Sequence, residues 1–82
     1  MATKTTKTTK TTNPEADYIV SDYRRRAQDS RDESATYARY AADSAVTDPG
    51  IRARYVERAR YFAREAATYD RKADARAARL AR

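Results

Sequence analysis

The sequence predicts an all-α protein, an antiparallel two-helix hairpin preceded by a basic arm, and three observations carry that prediction. A helix-start signal, Asn or Asp followed by Pro, occurs at Asn13-Pro14 and again at Asp48-Pro49. After each signal, small or apolar residues recur at alternating four- and three-residue spacing, the stripe of a coiled-coil seam. The two stripes are also complementary in size. Ala41 faces Tyr55, Tyr37 faces Ala59, Ser34 faces Phe62, Ala27 faces Tyr69, Tyr23 faces Ala73 and Ala16 faces Leu80. The residue numbers in every pair add to the same total, so one register satisfies them all.

Residues 1–13 form a Thr/Lys-rich arm that contains Lys4, Lys7 and Lys10 and no acidic residue. Without an apolar anchor, nothing offsets the entropy of ordering it, so the arm is expected to be disordered on its own. The first helix is expected over about 14–47, with Asn13 as N-cap and Glu15 and Asp17 where the macrodipole favours negative charge. Its stripe runs Ala16, Val20, Tyr23, Ala27, Ser30, Ser34, Tyr37, Ala41 and Ser44. Pro49 pushes Asp48 out of the α region, so a connection of a few residues makes the helices antiparallel neighbours. The second helix is expected over about 49–81, capped by Asp48. Its stripe is Tyr55, Ala59, Phe62, Ala66, Tyr69, Ala73 and Leu80, with Ile51 closing the turn end. Ser30 against Ala66 is the one layer with two small residues.

The same register predicts flanking ion pairs: Arg26 with Glu65, Glu33 with Arg58, and Arg24 and Arg31 on either side of Asp70. Two placements conflict with it. Arg26 also faces Lys72, and Arg76 sits in the seam opposite Val20, so the open end is expected to fray.

Eighty-two residues with 18 Lys+Arg, 12 Asp+Glu and a single glycine make one small helical unit. The charge is uneven: residues 14–48 are net acidic and residues 49–82 strongly basic. The apolar residues are dominated by alanine, and at roughly 25 cal/mol per Å² of apolar surface such a core is thin. Self-association into a four-helix bundle, or a partner, is expected to complete it. There is no cysteine for a disulfide and no long apolar run, so a cytoplasmic protein is the default expectation.

Catalysis has little to use: no histidine, no cysteine and no glycine-rich phosphate loop. The seam hydroxyls have no base beside them, and the carboxylates fall on solvated faces. A non-enzyme without cofactor, metal or small-molecule substrate is expected. The leading expectation is a protein-interaction or assembly module. Ala38, Ala42, Ala45, Val56, Ala63 and Ala67 form a second, shallow apolar strip near the turn, and Tyr18, Tyr40 and Tyr61 fall off the seam. A tyrosine in such a position supplies contact area at low entropic cost. The alternative is nucleic-acid binding without sequence preference. Arg54, Arg58, Arg60, Arg64, Arg71 and Lys72 lie on the outward arc of the second helix with exposed Tyr61 among them, and Lys4, Lys7 and Lys10 would add phosphate contacts. Helix two is also basic and amphipathic, but its apolar face is matched to helix one, so a membrane surface is not expected as a partner.

Overall fold

The computed structural model describes residues 13–82. The Thr/Lys arm, with Lys4, Lys7 and Lys10, lies outside the described residues except for Asn13. A short 3-10 turn, Pro14–Ala16, leads into helix α1, Tyr18–Ala42, which is joined by a short loop to helix α2, Pro49–Ala81. The two helices lie antiparallel against each other, and the 3-10 turn touches both. Among the described residues there is no strand, and no helix is long and apolar enough to cross a membrane.

Helix α1 is shorter than the expected 14–47 at both ends. Asn13 makes no side-chain capping bond, and Pro14 opens only the 3-10 turn. The true N-cap is Asp17, whose carboxylate accepts from the backbone N–H groups of Ile19 at 2.9 Å and Val20 at 3.0 Å. Those are the donors that a new helix leaves free. At the far end, the carboxylate of Asp43 accepts from the Ala45 N–H at 2.9 Å. This local bond offers the backbone an alternative to another helical turn. The guanidinium of Arg52 then gathers the carbonyls of Ala41, Asp43 and Val46, satisfying acceptors that the helix end leaves open. The loop therefore begins at Asp43, and Ser44 leaves the seam for solvent.

Helix α2 begins where Asp48 accepts from the Gly50 N–H at 2.8 Å, with Pro49 in the first turn. At about 1.5 Å per residue it is a rod of about 50 Å, roughly two turns longer than α1.

The fully covered interior is small in every sense. Val20, Ala27, Ala66 and Ala73 are its buried apolar residues, with Ser30 beside them. The Ser30–Ala66 layer is closed on both sides, and the helices approach closely. Nearer the turn, the hydroxyl of Ser34 donates directly to the main-chain carbonyl of Ala59 across the interface at 2.7 Å. A serine side chain is short enough that this bond requires the two backbones to be near neighbours.

The rings are not part of this fully covered interior. Tyr23, Tyr37, Tyr55, Phe62 and Tyr69 are half-buried, displaced to one side of the seam, where they meet each other. Two backbones this close leave no room for a ring between them, so the rings fill the lateral groove instead. The ends of the seam are open: Ala16, Ile51 and Leu80 are exposed, so Ile51 does not close the turn end and Ala16–Leu80 is not a covered pair.

The flanks follow the register in part. Arg24 and Arg31 both reach Asp70, at 3.5 and 2.8 Å, and Arg24 also binds Asp74 and Glu15. Arg26, expected against Glu65, instead pairs with Asp22 one turn away at 2.8 Å. A partner on the same helix costs less side-chain ordering than one across the seam. Glu33 and Arg58 do not pair, since Arg58 lies over the ring of Tyr37. The clash between Arg26 and Lys72 is relieved by Tyr69, whose ring both cations approach at 6.0 Å.

Arg76 corrects the picture of a fraying open end. It turns out of the seam and donates to both carboxylate oxygens of Asp17, at 2.9 and 3.2 Å, and Val20 beneath is fully buried. That pairing, with the Val20 N–H, holds the Asp17 carboxyl at about 2, well below the ordinary range. Hydrogen bonds from Arg24 to Glu15 and then Asp74 stabilise its guanidinium charge in the same way.

Candidate interaction surfaces

Because small residues occupy the seam and rings are displaced to one side, the hairpin has two unlike broad faces. One is lined with alanine and the other with rings and cations.

On the alanine face, Ala38, Ala63 and Ala67 line one shallow groove with Ser34, Ala35 and Ala66, closed at one end by the Arg31–Asp70 pair. Ala38, Ala63 and Ala67 are exposed. Val56, half-buried, lines a neighbouring depression with Pro49, Arg52, Ala53, Glu57 and Arg60. Ala42 is the last residue of α1, and Ala45 lies in the loop, so neither extends the groove as a helical strip. The early end of α1 is what removes them.

The off-seam tyrosines are not on this face. Tyr37 and Phe62, one from each helix, stack with centroids 5.9 Å apart and planes 3° from parallel. Tyr40 stands against Tyr37 at 89°, and Tyr61 stands against Phe62 at 79°. The result is a four-ring array across both helices, with a parallel pair inside and an upright ring at each side. Tyr55 leans against both Tyr37 and Tyr40. The upright rings are the exposed ones, 47% for Tyr40 and 50% for Tyr61. Perpendicular contacts satisfy the ring quadrupoles, so each upright ring is braced while part of it stays in solvent. Tyr18, 81% exposed at the start of α1, joins neither surface and has no ring partner among the described residues.

Cations border this array. Arg54, Arg58 and Arg64 surround Tyr61 in a shallow depression that Ala53 and Glu57 complete. It continues along α2 past Glu65 and Thr68 to Tyr69 and Lys72. Lys72 rests over the rings of Tyr23 and Tyr69. Arg60 and Arg71 point elsewhere: Arg60 borders the Val56 depression, and Arg71 donates to the Thr68 hydroxyl at 3.2 Å.

The two helices treat their arginines differently. On α1, Arg24, Arg25, Arg26 and Arg31 have carboxylate partners, and Arg39 donates to the Thr36 hydroxyl instead. On α2, Arg76 alone has one among the described residues. Arg54, Arg58, Arg60, Arg64 and Arg71 therefore keep their charge uncompensated by close contact. Sequence reasoning identified these residues and placed Tyr61 among them, but it did not foresee the ring array that joins Tyr40 and Tyr61 across the two helices. The signal it lacked was the sideways displacement of the rings, which heptad spacing does not encode. Among the described residues no group of acidic side chains is arranged to hold a metal ion. The chain matches no protein family, no curated protein and no solved structure.

Proposed function

We propose that this chain is a non-catalytic docking module of the cytoplasm, associating with a second copy or a larger protein partner through its alanine face. The observation that supports this reading most is the thinness of the interior. Among the described residues, Val20 is the only side chain larger than alanine that is fully covered. An interior of this kind provides little apolar burial against the cost of ordering two long helices. The groove at Ala38, Ala63 and Ala67 repeats, on the outside, the small-residue geometry that lets α1 and α2 approach. A further helix laid there would bury the apolar surface that the hairpin leaves in water, giving a three- or four-helix arrangement.

Sedimentation equilibrium with concentration-dependent melting tests the reading. Association is expected at micromolar concentration, with the melting temperature rising with concentration. Ala63→Glu is expected to abolish association while leaving helix content intact. A monomer whose melting is independent of concentration, and which retains no protein partner from its native lysate, overturns the reading.

A second reading is favoured by the uncompensated arginines of α2: binding of nucleic acid through its phosphates, without sequence preference. It uses the opposite face, so the two readings do not compete for surface. Neutralising phosphates releases counterions, so affinity on this reading falls steeply as salt is raised.

A further inference from the structure

The geometry points to a single strand of nucleic acid as the ligand of the ring face, held by stacking on Tyr61 and Tyr40 and by phosphate contacts to Arg54, Arg58 and Arg64. This inference rests on the nucleic-acid reading above and specifies which form is bound and how.

Charge comes first. Arg54, Arg58 and Arg64 surround Tyr61, and none has a carboxylate partner among the described residues. A second copy docked by this same face would bring the same arginines against one another, whereas a polyanion meets complementary charge. Ring geometry comes next. Tyr61 stands at 79° to Phe62, Tyr40 at 89° to Tyr37 and 57° to Tyr55, and both are about half exposed, so neither is consumed by parallel stacking. Such a ring offers a flat surface to a base, and every base has a stacking face. In a duplex those faces are occupied by neighbouring base pairs, and a convex helix rod reaches only phosphates. Only an unpaired strand uses rings and arginines together.

Length is the third element. The depressions on α2 run continuously from Arg54 to Lys72, sharing Tyr61 and Arg64. Eighteen helical steps of about 1.5 Å span about 27 Å, roughly eight nucleotides at the stacked spacing of about 3.4 Å along one strand. Glu57 and Glu65 lie in the same strip and weaken its field, which places the weight of discrimination on stacking.

The test compares full-length protein binding to labelled dT12 and to a 12-base-pair duplex by fluorescence anisotropy, with a salt series. The expected result is tighter binding to the single strand, about a tenfold loss with Tyr61→Ala, and retention with Tyr61→Trp. Circular dichroism verifies that each variant keeps its helices, which the exposure of Tyr61 makes the expected outcome. Equal or tighter duplex binding, or no effect of Tyr61→Ala, overturns the stacking inference. If Arg54→Ala and Arg58→Ala then weaken both ligands alike, the broader nucleic-acid reading survives that failure. No binding to either ligand at low salt overturns both, and equally tight binding of poly-glutamate overturns the assignment to nucleic acid.

Discussion

The half of the hairpin away from the turn and the half beside it are closed by different means. Away from the turn, Val20, Ala27, Ser30, Ala66 and Ala73 are all buried, and Asp17–Arg76 and the Arg24 cluster clasp the outside. Between Arg31 and Glu65, which includes the turn, no residue reaches that degree of burial. There the helices are joined by the Ser34–Ala59 hydrogen bond, the Arg52 cap and the ring array. The end with no covalent connection thus has the better packing. The covalent turn already limits separation at its own end, so that half can leave rings and alanines open to solvent. The surfaces assigned to binding are where the interior is least closed.

Overpacking gives the largest expected difference between the halves. Ala73 is fully buried against a facing backbone that cannot retreat without opening the well-closed half. Ala73→Leu is expected to cost about 2–3 kcal/mol. In a unit of this size that lowers the melting temperature by roughly 10 °C or more. The corresponding change beside the turn, Ala41→Leu, enters a half-buried site with room to move outward, and is expected to cost under about 1 kcal/mol. Chemical denaturation of both variants checks this, and equal losses break the comparison.

A smaller effect is expected at Ser34. Its hydroxyl and the Arg52 guanidinium are the side-chain groups that bond the facing backbone directly in the less covered half. Ser34→Ala leaves the Ala59 carbonyl with its helical bond and removes one inter-helix hydrogen bond. The expected loss is about 1 kcal/mol. Hydrogen exchange sharpens the result: protection is expected to fall near the turn and to stay unchanged around Ala27 and Ala66. A uniform fall would show that the halves open as one unit.

Much of this division was legible in the chain, and the residues that were not share a physical cause. Asp48-Pro49 marks the start of α2 because cap, proline and helix all lie within four residues. Arg24 and Arg31 about Asp70 follow from register alone. The end of α1 was missed because Arg52, eleven positions beyond Ala41, draws off its carbonyls. Asn13 and Asp17 carry equally good capping side chains. What selects Asp17 is Arg76, at the opposite end of the sequence. Heptad spacing indicates which face of each helix meets the other but not that the rings meet one another. That depends on how close two alanine-lined backbones come, a distance set by the whole seam. The candidate surfaces follow the same division: Ala38, Ala63 and Ala67 share a groove and Arg54, Arg58 and Arg64 surround Tyr61, while Ala42, Ala45, Arg60 and Arg71 lie elsewhere and the array that joins Tyr40 and Tyr61 goes unforeseen.

The smallest expected effect concerns the clasp at the open end. Asp17 has its carboxyl lowered to about 2, chiefly by the hydrogen bonds from Arg76 and then by the Val20 N–H. A depressed carboxyl contributes stability in full above its unfolded value near 3.8 and loses it as pH falls through the folded value. The contribution of Asp17 is therefore constant at neutral pH, declines between about pH 4 and pH 2, and is gone below. Asp17→Asn keeps a capping oxygen but not the charge, so its deficit at pH 7 is expected to be smaller than that of Ser34→Ala. The wild type and the variant are expected to converge in stability as pH approaches 2, because protonated Asp17 no longer attracts Arg76. Paired denaturation curves at several pH values check the convergence, and a carboxyl NMR titration of Asp17 reads the midpoint directly. A midpoint near 4 would mean that Arg76 does not hold Asp17 in solution. The better closure of the open half would then rest on its small buried residues alone.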